Sequence, residues 1–235
     1  MSLSSAQSTI LPPLSSGDYL TRAEFERRYV ADPQIKKAEL IEGTVYVASP
    51  LRFTPHAQPH GCLTTWLGVY SSFTPHLSMG IEPTVRLDQQ NEVQPDSVLR
   101  IDELAGGRSH VTIDGYLDGP PELVVEIAAS SAAIDRGQKQ QVYERNGVLE
   151  YWVWQSFEQR LDVFTWSNGL YQPLQPNAEG VLQSQVFPGL WLDVAALAQN
   201  QMPQVLTVLQ QGMATPAYQA FCSRLRSAAN RPDGS

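Results

Sequence analysis

The stretch Glu122-Leu123-Val124-Val125-Glu126-Ile127-Ala128 decides how this chain folds. It follows a loop region, 102 to 119, marked by Gly106-Gly107, Asp114-Gly115 and Asp118-Gly119, and its consecutive apolar residues read as a strand buried on both faces. A carboxylate at Glu126 is costly to bury there unless a partner or a metal compensates its charge. The plain reading is a structural ion pair with Lys or Arg, and the functional one is a site.

Downstream of that strand, Ser131 or Asp135 can cap a helix that reaches Arg145, and Asn146-Gly147 supplies its stop. Lys139 and Tyr143, four residues apart, share a face of it. Val148 to Trp154 and Arg160 to Trp166 read as aromatic-rich strands, with Ser167-Asn168-Gly169-Leu170 a turn into a third. Phe187-Pro188-Gly189-Leu190-Trp191-Leu192 returns the chain to the core. Beyond Ala195, short helical stretches broken by Pro203 and Pro216 lead to a polar terminus, 227 to 235, expected to fray.

Upstream, Ile81 to Leu87 and Val93 to Ile101 form an antiparallel pair around the polar turn Gln89-Gln90-Asn91, with Asp96 on the second strand. Pro59 fits the first turn of a helix whose buried face carries Leu63, Trp66, Leu67 and Tyr70. Ala38 to Ile41 and Thr44 to Ala48 flank a Glu42-Gly43 turn as a hairpin. Thr21-Arg22-Ala23-Glu24 has capping-box spacing and opens a short helix to about Val30. The fold class is therefore α/β (α+β), a mixed β-sheet core flanked by helices over residues 18–200. A flexible tail over 1–17 precedes it, and a helical extension with a polar tail over 201–235 follows.

With 235 residues, 42% hydrophobic and 17% charged, the chain suits one globular domain and is not disordered throughout. No apolar run approaches the roughly 18 residues a membrane span needs, and the N-terminus does not read as a secretory signal. A cytoplasmic location without membrane association is expected. Cys62 and Cys222 have neither disulfide-framework nor zinc spacing. The net charge of −8 disfavours broad attraction to phosphate backbones, so a nucleic-acid substrate would need a local basic patch or a metal. No phosphate-cradling Gly-rich loop, Gly-x-Ser-x-Gly elbow or Cys-x-x-Cys pair occurs.

Asp96 and Glu126 stand thirty residues apart on two central strands. Adjacent strands would bring them together as a hard oxygen site for Mg²⁺ or Mn²⁺, where a lysine could orient a nucleophile or stabilise a phosphoryl transition state. Asp96 after Pro95 also fits a turn or cap, Lys139 beside Gln138, Gln140 and Gln141 also fits a solvated helix face, and Glu39 also fits a surface pair with Lys36 or Lys37. His56 and His60 have i, i+4 spacing, but Pro55 and Pro59 interrupt them, which favours structural histidines over zinc. Trp152, Trp154, Trp166 and Trp191 read as core or interface before base-stacking platforms.

In family order the chain carries Glu39-Leu40-Ile41-Glu42-Gly43, Ser49-Pro50, Pro95-Asp96, Pro121 to Ile127 and Glu150-Tyr151-Trp152, together with Asp135, Lys139, Tyr143 and Gly147-Val148. On these it resembles the Uma-two family of endonucleases, within the PD-(D/E)XK superfamily, over roughly residues 18 to 200. The resemblance implies a restriction-endonuclease-like fold and Mg²⁺-dependent (or Mn²⁺-dependent) phosphodiester hydrolysis, with nucleic acid, DNA ahead of RNA, as partner and a homodimer compatible. It implies Asp96 and Glu126 as metal ligands with the Ile127 carbonyl as a third, Lys139 as catalytic lysine, and Glu39 as an accessory acid. The chain departs from the pattern at Ala128, where the superfamily's basic motif has its lysine, at Ala128-Ala129-Ser130-Ser131, often Leu-Ser-Pro-Ser in the family, and at Gln155, often Asp. The alternative function is a nuclease-fold binding module for nucleic acid or protein that no longer cuts.

Overall fold

A computed structural model describes residues 11–129 and 134–230, and every element and contact given is among these residues. Helix α1 (Arg22–Ala31) begins at the expected cap, where Thr21 Oγ1 accepts the Glu24 N–H at 3.4 Å; the Glu24 carboxylate turns instead to Arg27 and Arg28. Strands β1 (Ala38–Ile41) and β2 (Thr44–Val47) form the hairpin. Its turn residues Glu42 and Gly43 are both left-handed, at φ 52° and 74°, the geometry that matches the twist of a two-residue hairpin. Helix α2 (Gln58–Phe73) is entered through a π-helical turn, Phe53–Ala57, and buries Leu63, Trp66, Leu67 and Tyr70.

The remaining strands are β3 (Leu77–Ile81), β4 (Val85–Asp88), β5 (Asn91–Val93), β6 (Ser97–Ile101), β7 (His110–Val111), β8 (Leu117–Asp118), β9 (Leu123–Ala128), β10 (Glu150–Gln155), β11 (Arg160–Ser167), β12 (Leu170–Pro173), β13 (Val181–Gln183) and β14 (Trp191–Asp193). One sheet runs β12-β11-β10-β9-β6-β3 and a second β2-β1-β5-β4-β8-β7. Strand β9 is buried throughout, parallel to β10 and antiparallel to β6. Its alternation divides two cores. Val125 and Ile127 pack with Trp66, Leu67 and Trp152, whereas Val124 and Ala128 pack with Ile41, Val142, Tyr143 and Tyr151. By the same alternation Glu126 falls on the second side, beneath helix α3 (Gln140–Asn146), which a π-helical turn at Asp135–Lys139 precedes.

Two expectations need correction. Asp96 does not lie within a strand paired to β4: β4 pairs with β5, while β6 pairs with β3 and β9. Residues 94–96 are the crossing between the sheets, because Pro95 has no N–H to give a ladder. Pro203 and Pro216 start helices rather than break them, each in the first turn of α5 (Met202–Met213) or α6 (Pro216–Ala229), where the missing N–H is harmless. These helices, after the short α4 (Val194–Ala198), close the first core with Val205, Leu209, Phe221 and Leu225. Trp152 and Trp154 of β10 are core residues, as their sequence pattern leads one to expect, and Tyr151 is buried beside them.

Of the tail expected over 1–17, residues 1–10 lie outside the described residues, while Leu14 is buried against Phe25, Leu40 and Val45. Ser130, Ser131 and residues 231–235 also lie outside them. Among the described residues no helix is long and apolar enough to cross a membrane.

Candidate active site

At the crossing before β6, Asp96 is 3% exposed. Its Oδ2 accepts the backbone N–H of Ile127 at 2.7 Å, so β9 grips the side chain of the segment that leads into its neighbour. Its Oδ1 lies 3.3 Å from His56 Nε2 and 3.6 Å from Lys37 Nζ. Burial raises the Asp96 carboxyl, but the His56 hydrogen bond, the Lys37 charge and the Ile127 N–H outweigh it and hold it well below the usual carboxylate range.

One residue along β9 from that amide, Glu126 is also 3% exposed. Its Oε1 accepts from Lys139 Nζ and from the Tyr143 hydroxyl, each at 2.9 Å. Lys139 Nζ also lies 2.9 Å from Glu39 Oε1 and 3.7 Å from Asp135 Oδ1. Burial pushes the Glu126 carboxyl up to about 8 against the pull of Lys139, and the charges of Asp135, Asp96 and Glu39 add to it. Burial would lower the Lys139 ammonium, yet the surrounding carboxylates drive it well above its ordinary value. Lys37 follows the same pattern, lowered by burial and raised further by Asp96, Glu126 and Glu39.

The structure thus brings Asp96, Glu126, Lys139, Glu39 and the Ile127 backbone to one end of the sheet. Lys139, eleven residues beyond Ala128, puts its ammonium on Glu126 because the π-turn and α3 pack over β9 and carry Lys139 and Tyr143 on one face. Glu39 pairs with neither Lys36 nor Lys37 as a surface residue would; its Oε1 takes Lys139 and the Gln94 N–H, the latter at 2.7 Å. Of Ile127, it is the amide that engages Asp96. Gln155, in the position where the family often has Asp, donates to Asp162 and accepts from Arg136.

Three participants are not assigned to the site from the sequence: Lys37 reads there as a surface partner for Glu39, His56 as a structural residue rather than a zinc ligand, and His60 as a structural histidine ahead of a helix-capping or site-adjacent one. The π-turn into α2 keeps both histidines beside Asp96 despite the prolines: His60 Nε2 lies 2.8 Å from the Asp96 carbonyl oxygen and 3.3 Å from Ser97 Oγ. A ligand atom from each of His56, His60 and Asp96 falls within 4.8 Å of the others. His56 Nδ1 is buried and has no hydrogen-bond partner among the described residues. The i, i+4 spacing was the available signal.

A divalent cation suits this donor set. Asp96 and Glu126 offer hard oxygens, and Asp96, Glu126, Glu39, Asp135 and the more exposed Glu82 around Lys37 and Lys139 leave a formal surplus of three negative charges. Burial first and the neighbouring carboxylates second favour a proton on Glu126; a bound cation would neutralise the same surplus. Other buried acids serve the scaffold. Glu150 accepts from Trp152 Nε1, Ser184 Oγ and the N–H groups of Gln185 and Val186, and Glu122 accepts from the N–H groups of Ile101 and Arg108.

The Uma2 family model, described as "Putative restriction endonuclease", matches residues 22–195. Among solved structures the chain is similar to the crystal structure of a "putative nuclease belonging to DUF820" from Anabaena variabilis, at 12% identity and a TM-score of 0.52, over 78% of this chain and 97% of that one. At this identity the likeness concerns the fold, a nuclease-like mixed α/β architecture. No curated protein matches the chain.

Proposed function

The chain belongs to the Uma2 family, and from that premise we propose that it is a Mg²⁺- or Mn²⁺-dependent endonuclease of PD-(D/E)XK type that hydrolyses phosphodiester bonds, DNA first. Asp96 and Glu126 are the metal ligands, with the Ile127 carbonyl as a third. Lys139 is the catalytic lysine and Glu39 the accessory acid. The observation that carries this reading is the surplus of buried carboxylates at the sheet end, with the Lys139 ammonium held 2.9 Å from both Glu126 and Glu39.

A divalent cation, when bound, supplies Lewis acidity and neutralises charge on a phosphoryl oxygen. The protein's own groups do the rest. His56, Lys37 and the Ile127 amide keep Asp96 ionised and fixed. Tyr143 and Lys139 set the orientation of Glu126. Lys139, held protonated, acts as hydrogen-bond donor to an attacking water and as a positive charge facing the phosphate, while Glu39 anchors its other side. The competing reading, a binding module that does not cut, draws on the net charge of −8.

The two separate in one experiment. Mg²⁺ and Mn²⁺ are titrated calorimetrically into wild type, Asp96→Ala and Glu126→Gln, and the same proteins are incubated with single- and double-stranded DNA and RNA. Metal binding and cleavage by wild type, both lost in folded variants, are expected. Undiminished cleavage by Asp96→Ala overturns the assignment.

A further inference from the structure

A cavity of about 360 Å³ opens on the α2 side of the sheet, next to the segment that carries His56 and His60, and plays no part in the scheme above. The cavity and the acid cluster are built from the same pieces of chain. Pro55 and Pro59 in its wall each directly precede a histidine beside Asp96, and Trp154 in its wall is the β10 partner of Ile127, whose amide holds Asp96. Ser156, also in the wall, donates its N–H to the Ala128 carbonyl at the end of β9.

The lining has a particular chemistry. Trp154 presents a fixed aromatic wall, only 4% exposed, while the Phe157 side chain, in the turn between β10 and β11, is left 68% exposed at the rim. Thr54 and Gln58 add hydroxyl and amide groups, and exposed Arg52 adds a cation. The Ser156 hydroxyl is buried yet has no hydrogen-bond partner among the described residues. A buried hydroxyl left unsatisfied destabilises a fold unless something else bonds it. Aromatic faces, amide and hydroxyl edges and one arginine are what a single unstacked base with its phosphate needs: stacking for the ring, hydrogen bonds for the base edge, and charge for the backbone. The volume lies within the range of small-ligand sites and admits no duplex.

We propose that this cavity takes one unpaired nucleobase of the strand presented to the Asp96–Glu126 cluster. Phe157 stacks on it over a floor closed by Trp154, Ser156 and Gln58 bond its edge, and Arg52 holds a flanking phosphate. This rests on the nuclease reading for the identity of the ligand and deepens it. The substrate is a single strand, or a duplex with an unpaired or extruded nucleotide, because an intact pair must be opened before its base can enter.

The test uses the full chain in EDTA, with anisotropy of a labelled twelve-nucleotide DNA strand and of its duplex, alongside cleavage assays with Mg²⁺. Phe157→Ala and Ser156→Ala are compared with Phe73→Ala, an exposed aromatic at the far end of α2. Phe157→Ala is expected to weaken single-strand binding about tenfold, in line with the loss of one stacked base, and Phe73→Ala to leave it unchanged. Moving one abasic position along the strand should find a site whose loss weakens wild type about tenfold but leaves Phe157→Ala unaffected. Pocket variants that bind like wild type, equivalence of all abasic positions, or duplex binding as tight as single-strand binding each overturn the pocket. If cleavage then persists, the nuclease reading stands alone; if base-dependent binding persists without any cleavage, the pocket stands and the nuclease reading falls.

Discussion

Replacing Lys139 with methionine isolates the interaction on which the candidate site is built. The ammonium is buried and touches Glu126 and Glu39 at 2.9 Å and Asp135 at 3.7 Å. At an effective dielectric constant of about 20, the 2.9 Å pair with Glu39 is worth roughly 5–6 kcal/mol of Coulomb energy, while Glu126, pushed up to about 8, is mostly protonated at pH 7.5 and chiefly accepts a hydrogen bond. Most of that repays the burial of the charges, so removal of one partner from a buried pair usually costs about 3–5 kcal/mol. Methionine keeps the apolar stem and leaves the carboxylates facing one another. The Glu126 carboxyl, pushed up to about 8, already holds its proton for the most part and adds little repulsion, which places the expected loss near 3 kcal/mol at pH 7.5. Against a total stability of about 5–15 kcal/mol, that is a large fraction. Urea unfolding in EDTA, followed by circular dichroism, should show the midpoint lowered by about 1 M with the slope unchanged. Adding Glu39→Gln to Lys139→Met should restore at least half of the loss. A decrease below about 1 kcal/mol, or no recovery in the double variant, would refute the inference that Lys139 neutralises this cluster.

Stability should also depend on pH through Glu126. Between an unfolded value of about 4.3 and the folded value of about 8, the native state keeps a proton that the unfolded chain has released. In the absence of metal, Glu126 therefore makes stability fall as pH rises through that window, by at most about 1.4 kcal/mol per pH unit; Glu126→Gln should flatten the profile, and an unchanged slope in the variant contradicts the assignment. Asp96 acts with the opposite sign, its contribution being lost as pH falls below about 4, so Asp96→Asn should lessen acid sensitivity in the same unfolding series. Glu150→Ala should cost about 2–4 kcal/mol by stranding the donors it satisfies, yet leave calorimetric Mn²⁺ binding as in wild type; a loss of binding would place Glu150 in the site. Gly43→Ala must hold φ 74° with a Cβ 2.8 Å from the Tyr19 ring, and thermal unfolding should report about 1–2 kcal/mol of destabilisation, a neutral result showing that the turn can relax.

Much of this molecule was legible because it is local. The apolar run around Glu126 can only be a buried strand, the spacing of Leu63, Trp66, Leu67 and Tyr70 is a helix face, and Glu42-Gly43 is a tight turn; each is a statement about neighbours in sequence, where backbone sterics and side-chain periodicity act directly. The shared face of Lys139 and Tyr143 was legible for the same reason, and the motif order pointed to the acids.

What the sequence could not decide is where the chain changes sheets and what then meets. Pro95 is compatible with a strand edge or a crossing, and only the pairing of β6 with β9 makes it a crossing that delivers Asp96 to the Ile127 amide. Lys139 between polar neighbours looks solvated until α3 packs over β9, and Lys37, His56 and His60 join Asp96 across gaps of 36 to 59 residues. Such contacts depend on the closure of long loops and on the charge balance of a buried cluster, which are properties of the assembled fold. Local chemistry determined the elements and marked Glu126 as a carboxylate that needs a partner; tertiary packing alone determined which groups surround it and Asp96.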